Sequence, residues 1–242
     1  MCDEGGGMTR RLPLALLAAA ACAAVAAPAS AADRTYSVTN FDQVRLQGPY
    51  KVRLVTGVAP YARASGSTQA LDGIAIEVNS QILTIRRNPS ASTSYPGQPL
   101  GPVEIEIGGH DLRTASVIGA GSLDISAVRG LNFSLTVEGA GAAKIGDVQV
   151  DQFKLWVGGT GSASLAGEAK SATFLVRGMS ALEASGLAVK DAVIGAEGPA
   201  IVRANVSNAA KVTARGVSQV MLDGAPACTV SAAGSATVSG CK

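Results

Sequence analysis

The fold is decided by a short phrase that residues 135–145 spell as LTVEGAGAAKI and residues 155–165 spell as LWVGGTGSASL, with apolar residues and glycines at matching places. One glycine marks each of seven copies: Gly119, Gly139, Gly159, Gly178, Gly198, Gly216 and Gly234. The intervals between these marker glycines are 20, 20, 19, 20, 18 and 18 residues. A regular period of this length with β-type composition is typical of a solenoid whose coils stack on one another.

The positions at even distances from each marker glycine are apolar. Val or Ala stands two residues before every marker glycine, and a further apolar residue stands four before it. The positions four and six after it are apolar too, apart from Gly240 in the last copy. Because successive side chains of a strand alternate between its two faces, all four of these columns are expected to point into the interior.

The positions at odd distances carry the polar residues, and their charges alternate in sign from one copy to the next. In-register coils would place residues of one column about 4.8 Å apart, so opposite charges would face each other. An antiparallel sandwich would explain the alternation along each strand, but not this matching across 18–20 residues. We therefore predict an all-β, single-stranded parallel β-helix-like solenoid with about 18–20 residues per coil. The matched charges are Asp124 with Lys144, Glu183 with Arg203, and Glu197 between Arg177 and Arg215.

Residues 1–31 are predicted to be a secretory signal peptide. Arg10–Arg11 precede an apolar run of 14 residues, Leu12–Val25, and Ala29–Ala31 supply small residues for cleavage. Met8 is the expected start, because a signal carries positive charge before its apolar run. The run is shorter than the roughly 20 residues of a membrane-spanning helix, so the mature chain is expected to be exported to the periplasm, the cell surface or the medium.

Cleavage after Ala31 would leave 242 − 31 = 211 residues with two cysteines, Cys228 and Cys241. In an oxidising compartment such a pair predicts a disulfide, which here would close the last coil. A lipoprotein signal at Cys22 is the alternative. The three alanines before Cys22 lack the large aliphatic residue that lipidation favours, so cleavage after Ala31 is preferred.

The charge balance argues against nucleic acid as a partner. The formal net charge is +2, and it stays at +2 after cleavage because the removed segment holds two acidic and two basic residues. No basic tract is present.

The N-terminal half repeats the alternation less regularly. Strands are predicted in Phe41–Thr56, Ile74–Ile85 and Val103–Ile107, and they are interpreted as the first coils of one domain, residues 36–242. The segment Asn88–Pro102 holds four prolines and is predicted to be a surface loop.

This layout resembles a bacterial family described as "putative auto-transporter adhesin, head GIN domain". The resemblance is carried by Phe41–Val44, Gly48–Val52, Ile74–Ile85 and the glycine phrases at Gly119, Gly139 and Gly159, and it extends from Tyr36 to the C-terminus. It implies an exported β-solenoid in the cell envelope or outside it, with no assigned enzymatic activity. The shared motifs are structural, so the resemblance implies no functional residue.

The candidates for chemistry are few. His110 is the single histidine, which excludes multi-histidine metal sites, and its Gly-Gly-His-Asp context indicates a surface turn. Glu104 and Glu106 share one strand face, where a solvated surface is a simpler interpretation than a general acid and base. β-Helix enzymes that cut acidic polysaccharides need clustered acidic residues, and no column of the repeats has three in succession. We therefore predict no catalytic residue, no metal and no cofactor.

Trp156 is the strongest candidate for a binding residue. It lies three before Gly159, in an outward column that Ser and Thr mostly fill, with Leu175 one coil further on and Lys154 two residues away on the same face. An exposed tryptophan stacks on sugar rings or anchors a protein partner. The alternative interpretation is that a loop or chain end folds over the ring.

Together these features predict an exported, non-catalytic β-solenoid that serves as a binding or adhesion scaffold of the cell envelope or surface. Its expected partner is a surface glycan or protein. The alternative is a module that binds or cleaves glycans, with Trp156 and the Asn88–Pro102 loop at its site.

Overall fold

The computed structural model describes residues 32–91 and 101–242, and strands account for most of them. The first part holds short elements: β1 (Ala32–Tyr36), β2 (Gln43–Gln47), β3 (Lys51–Thr56), β4 (Tyr61–Gly66), α1 (Thr68–Asp72), β5 (Ile74–Asn79), β6 (Ile82–Arg87), β7 (Glu104–Gly109) and β8 (Thr114–Gly119). The second part holds β9 (Ser122–Gly139), β10 (Ala142–Gly159), β11 (Ser162–Gly178), β12 (Ala181–Glu197), β13 (Ile201–Gly216), β14 (Gln219–Asp223), β15 (Ala227–Gly234) and β16 (Thr237–Ser239).

The long strands β9 to β13 are the stacked coils that the sequence predicts. Each has 16 to 18 residues, bends around the body of the protein, and pairs in parallel with the next. Leu135 lies opposite Leu155 and Glu183 lies opposite Arg203, as the column alignment requires. The predicted parallel β-solenoid is thus confirmed.

Each coil contributes to two faces, joined by a segment that is also paired between coils and that we call the corner. The first face, which we call the groove face, follows the strand order β1-β4-β7-β3, then the opening segments of β9 to β13, then β14 and β16. The second, the tryptophan face, follows β5-β6-β2-β8, then the closing segments of β9 to β13, then β15. In β10 these segments are Ala142–Ile145 and Lys154–Gly159, and the corner lies between them.

The N-terminal end departs from the parallel pattern. Five of its strands join the coils in parallel, namely β2, β3, β6, β7 and β8. Three pairs of strands are antiparallel: β4 with β7, β1 with β4, and β5 with β6. The reversal between β5 and β6 occurs at Ser80 and Gln81, both with positive φ, which favours a tight antiparallel hairpin.

The helix α1 was not predicted. Ser67 caps its N-terminus by accepting from the Ala70 N–H at 3.2 Å, and its Leu71 is buried in the core.

The interior is a continuous stack of apolar layers whose residues alternate in size. Phe133 and Phe153 lie in neighbouring coils with ring centroids 5.8 Å apart, and Phe174 follows at 6.3 Å from Phe153. The next residue in the column of Phe153 is the buried Ala172, which offsets the volume of Phe174 beside it.

The marker glycines form the turns at one edge of the stack, with φ between +79° and +104°. They also stack on one another, backbone against backbone. A Cβ added to Gly178 would lie 2.5 Å from the Gly159 carbonyl oxygen, and one added to Gly139 would lie 2.9 Å from that of Gly119. Both the turn conformation and this close approach require glycine.

The last coil differs from the expectation that every even column is buried. Val230 is 45% exposed and Ala232 is exposed as well, although both stand in columns that are buried in the earlier coils. The reason is that none of the described residues forms a coil beyond them.

The predicted disulfide is confirmed: Cys228 is bonded to Cys241, with Cα atoms 5.7 Å apart, and it ties this coil together.

Two buried serines, each two residues after a marker glycine, differ in their hydrogen bonding. The Ser180 hydroxyl lies 2.9 Å from the Arg177 carbonyl oxygen and 3.1 Å from that of Gly159. The Ser218 hydroxyl is fully buried and has no partner among the described residues. The equivalent position in the coil between them is Ala200, so the site accepts a methyl group.

We expect Ser180→Ala to lower the free energy of unfolding by about 1 kcal/mol, because a buried hydrogen bond is lost. Ser218→Ala should leave it unchanged or raise it by up to about 1 kcal/mol, because an unpaired buried hydroxyl is removed. Urea denaturation of both variants checks the contrast. Equal losses would show that Ser218 has a partner in solution.

Among the described residues, no helix has the length and apolarity needed to cross a membrane.

Candidate functional site

The groove face carries a column of alternating charges that extends the predicted matching into the N-terminal half. Arg63 pairs in register with Glu106, Glu106 with Arg53, and Arg53 with Asp124. The column continues to Lys144, is interrupted at Ser164, and ends with Glu183 and Arg203. The charges of this face therefore largely neutralise one another.

The predicted ion pairs form only in part. Arg203 contacts Glu183 at 3.5 Å and Arg177 contacts Glu197 at 3.0 Å. The Ser185 hydroxyl donates to Glu183, and together with Arg203 it holds the pKa of that carboxyl below its ordinary value. Asp124–Lys144 and Glu197–Arg215 are neighbours in register without forming an ion pair, since exposed side chains have little to hold them in one geometry. Pairs of this kind contribute little to stability.

A shallow open groove of about 560 Å³ crosses this face over β9 to β13. Its floor is formed by small side chains, among them Ala142, Ser162 and Ala181, and the paired charges lie along it. The groove has room for an extended ligand, but its charged groups already face partners of opposite sign.

The polar residues that the sequence singled out on this part of the chain are surface residues. Glu104 lies 4.0 Å from Lys51, and Glu106 accepts from the Tyr61 hydroxyl at 2.7 Å. That hydrogen bond raises the pKa of Tyr61 above its ordinary value. His110 is exposed at a bend, as its sequence context predicts.

Trp156 lies on the tryptophan face, in register between Thr136 of β9 and Leu175 of β11. It is half-buried. The outer end of its six-membered ring occupies the space that a side chain at position 158 would need, and position 158 is a glycine. The indole therefore lies along the sheet instead of projecting from it, which leaves part of the ring accessible on the outer side.

Leu175 lies over a second glycine on the same face. Its Cδ2 atom would be 2.7 Å from a Cβ added to Gly195, its register partner in β12. Leu175 is 39% exposed, and Val193, on the same face of β12, is 47% exposed. The three apolar side chains form a low strip across three coils, which we call the apolar strip (Trp156, Leu175 and Val193).

Cations flank the apolar strip on both sides. The column on the N-terminal side of Trp156 and Leu175 contains Lys154 and, three coils further on, Lys211, with Val193 of the apolar strip between them. The column after it contains Arg177 and Arg215, with Glu197 between them. Within the described residues Arg177 is paired with Glu197, whereas Lys154, Lys211 and Arg215 take part in no ion pair.

The structure brings the three predicted binding residues together on one surface. Lys154 and Trp156 lie on the same face of β10, and Leu175 is the register partner of Trp156. Positions 92–100 of the predicted Asn88–Pro102 loop lie outside the described residues. The sequence analysis missed Gly158 and Gly195 as the residues that let the side chains lie flat, and Lys211 and Arg215 as flanking cations. All four stand in the outward column of Trp156 or in the two outward columns beside it, which is the one signal that the sequence contains.

Comparison with solved structures shows the same fold in distant bacterial proteins. A "putative adhesin" from Bacteroides fragilis NCTC 9343 has 18% sequence identity and a TM-score of 0.77, over 86% of this chain and 96% of that chain. A "putative lipid binding protein" from Parabacteroides distasonis ATCC 8503 has 16% identity and a TM-score of 0.64, over 86% and 95%. A "putative adhesin" from Parabacteroides merdae ATCC 43184 has 14% identity and a TM-score of 0.63, again over 86% and 95%.

At these identities the similarity establishes the fold alone. Among curated proteins, none matches the chain. The family model described as "Putative auto-transporter adhesin, head GIN domain" matches residues 40–226, which is more than three quarters of the sequence. The chain therefore belongs to the family described as "Putative auto-transporter adhesin, head GIN domain".

Proposed function

We propose that the protein is an exported, non-catalytic scaffold that binds a component of the cell envelope or cell surface through its tryptophan face. The observation that carries this proposal is the apolar strip with its flanking cations, presented on a stack of rigidly paired coils. Trp156, Leu175 and Lys154 would make the contacts. A half-buried tryptophan between cations on a flat sheet is suited to binding, because it offers a large contact area that is already ordered.

Three observations support export. Residues 1–31 have the pattern of a cleaved signal. The Cys228–Cys241 disulfide suits an oxidising compartment. Two of the structurally similar proteins are named as adhesins, a function that requires a surface location.

A binding role is favoured over catalysis by the chemistry of the surface. Within residues 32–91 and 101–242 no group of three His, Cys, Asp or Glu side chains is placed to hold a metal ion. The carboxylates of the groove face lie next to cations in register, so that they do not face a second carboxylate across the strands. The family name and the names of the similar structures refer to adhesion or lipid binding.

The test has two parts, and the first concerns export. Cell fractionation followed by N-terminal sequencing should find a chain that begins at Ala32 in the periplasm, on the cell surface or in the medium. A cytosolic chain that keeps the residues after Met8 would contradict export.

The second part concerns binding. The purified mature chain should be retained on washed envelopes of the bacterium that encodes it, and Trp156→Ala should lower retention at least several-fold. Leu131→Ala is the matched control, because Leu131 is 70% exposed but lies at the corner, away from the tryptophan face. Unchanged retention of Trp156→Ala would show that binding uses another surface.

A further inference from the structure

We propose that the ligand of the tryptophan face is a linear acidic polysaccharide, which lies along the stacking direction of the coils. This inference rests on the proposed binding function and names the chemical class of its ligand. The sugar rings would pack on the apolar strip, and the acidic groups would face the cations on either side.

Positive charge is concentrated on this face. In the closing segments of β9 to β13 four cations and two carboxylates give 4 − 2 = +2, whereas in the opening segments, on the groove face, two cations and two carboxylates give 2 − 2 = 0. The residues of the corner between them give 3 − 4 = −1. A polyanion would therefore be attracted to the tryptophan face and not to the other two surfaces. The charges counted on the tryptophan face are Lys154, Arg177, Lys211 and Arg215 against Glu138 and Glu197.

The cations are placed along the stack and not around one point. Lys154 and Lys211 belong to one column three coils apart, which corresponds to about 14 Å at the spacing of neighbouring strands. Arg215 lies in the parallel column on the other side of Trp156 and Leu175. All three are without an ion pair among the described residues, so an acidic ligand would not have to displace a bound carboxylate. This linear arrangement fits a chain with repeated negative charges better than a single small anion.

The composition of the face favours a glycan over a protein partner. The large apolar side chains of its β10–β13 segments are only Trp156, Leu175 and Val193, whereas a stable protein interface buries about 800 Å² per partner around an apolar core. Around them are hydroxyl side chains, including Thr173 and Thr213. The C–H face of a sugar ring packs on an indole, and its hydroxyl groups form hydrogen bonds with such threonines.

The single tryptophan makes the experiment direct, because all tryptophan fluorescence comes from the proposed site. The mature chain is titrated with polygalacturonate, with neutral dextran and with vesicles that contain phosphatidylglycerol. We expect polygalacturonate to change the fluorescence and to bind at least tenfold more tightly than dextran, with affinity falling as salt is raised. The double variant Lys154→Gln/Lys211→Gln should bind polygalacturonate roughly tenfold more weakly. The control Lys51→Gln/Lys144→Gln removes the same charge from the groove face and should have no effect beyond about twofold.

A second variant tests the position of the indole without changing any charge. Gly158→Ala places a methyl group where the ring lies, and the ring must move away from the sheet. Residue 158 is not in the left-handed region, so the backbone accepts alanine. We expect a folded protein with shifted tryptophan emission and at least fivefold weaker binding of polygalacturonate.

The outcomes separate this inference from the proposed function. Equal affinity for dextran and polygalacturonate, or equal effects of the two lysine double variants, would overturn the acidic class while binding at Trp156 stands. Binding only to the vesicles would assign the face to lipid instead of glycan. Retention on envelopes that depends on Trp156, with no response to either polysaccharide, would overturn the glycan inference and leave the proposed function intact. If retention on envelopes does not depend on Trp156 and neither polysaccharide changes the fluorescence, both the glycan inference and the proposed function are overturned.

Discussion

Gly178→Ala is expected to lower the free energy of unfolding by about 2–5 kcal/mol. Two costs add up. Residue 178 has φ +83°, where alanine is strained by about 1–2 kcal/mol. Its new Cβ would also lie 2.5 Å from the Gly159 carbonyl oxygen, so the two coils must separate at the turn.

Gly57→Ala is the matched control. Residue 57 has φ +78°, nearly the same backbone conformation, but nothing lies within 4 Å of the added Cβ. Its loss should be limited to about 1–2 kcal/mol of conformational strain. Urea unfolding of both variants, followed by far-UV circular dichroism, gives the difference that belongs to coil stacking alone. Equal losses would show that the glycine column is needed for its turn conformation and not for close packing.

Phe153→Ala is expected to cost about 3–5 kcal/mol, because it removes the middle ring of three that stack across consecutive coils. Phe153 is 1% exposed and contacts Phe133 on one side and Phe174 on the other. Its removal leaves a cavity that two coils share. Coils in a solenoid are stabilised mainly by their neighbours, so weakening two adjacent interfaces in the middle of the stack should also reduce the cooperativity of unfolding.

Phe153→Leu serves as the control, since it keeps most of the apolar volume and should cost less than half as much. Leu131→Ala, at an exposed corner, should change the free energy of unfolding by less than about 0.5 kcal/mol. Thermal and urea unfolding check all three variants. A loss below about 1 kcal/mol for Phe153→Ala would mean that the stack collapses around the missing ring.

The sequence predicts the regular coils well because their period leaves one physical solution. An apolar residue at each even position and matched charges such as Glu183 and Arg203 are compatible only with in-register parallel stacking, and the register confirms it. The disulfide was predictable for a related reason: Cys228 and Cys241 are the two cysteines that the predicted cleavage would leave, and they lie at the last coil.

The N-terminal end could not be derived in the same way. The direction of β4 relative to β7 depends on contacts between residues that are distant in the sequence, such as Tyr61 with Glu106. The alternation of apolar and polar residues cannot reveal it, because a strand shows the same alternation whether it pairs in parallel or antiparallel. The helix α1 has only five residues, which is too short for a helical period to be visible. Its one local signal was Ser67 at the N-cap with Gly73 after the last turn.

The candidate site was predicted in part. Trp156 and Leu175 stand out in the sequence because they interrupt a column of small hydroxyl residues, and Lys154 lies two residues before Trp156 on the same face. The orientation of the indole was not found, because it depends on the empty space above Gly158, which the sequence shows only as one more glycine among 29. Which lysines form ion pairs could not be predicted, since exposed side chains adopt several geometries of similar energy.

The division of each coil into inward and outward columns has a consequence for how such proteins diverge. The inward columns and the marker glycines must keep their volume and shape, whereas the outward columns contribute little to stability and are free to change. Proteins with only 14–18% identity can therefore retain one backbone, as the TM-scores of 0.63–0.77 illustrate. Each lineage can thus replace the outward side chains, and so change what the surface binds, while the spacing of the strands and the solenoid backbone stay the same.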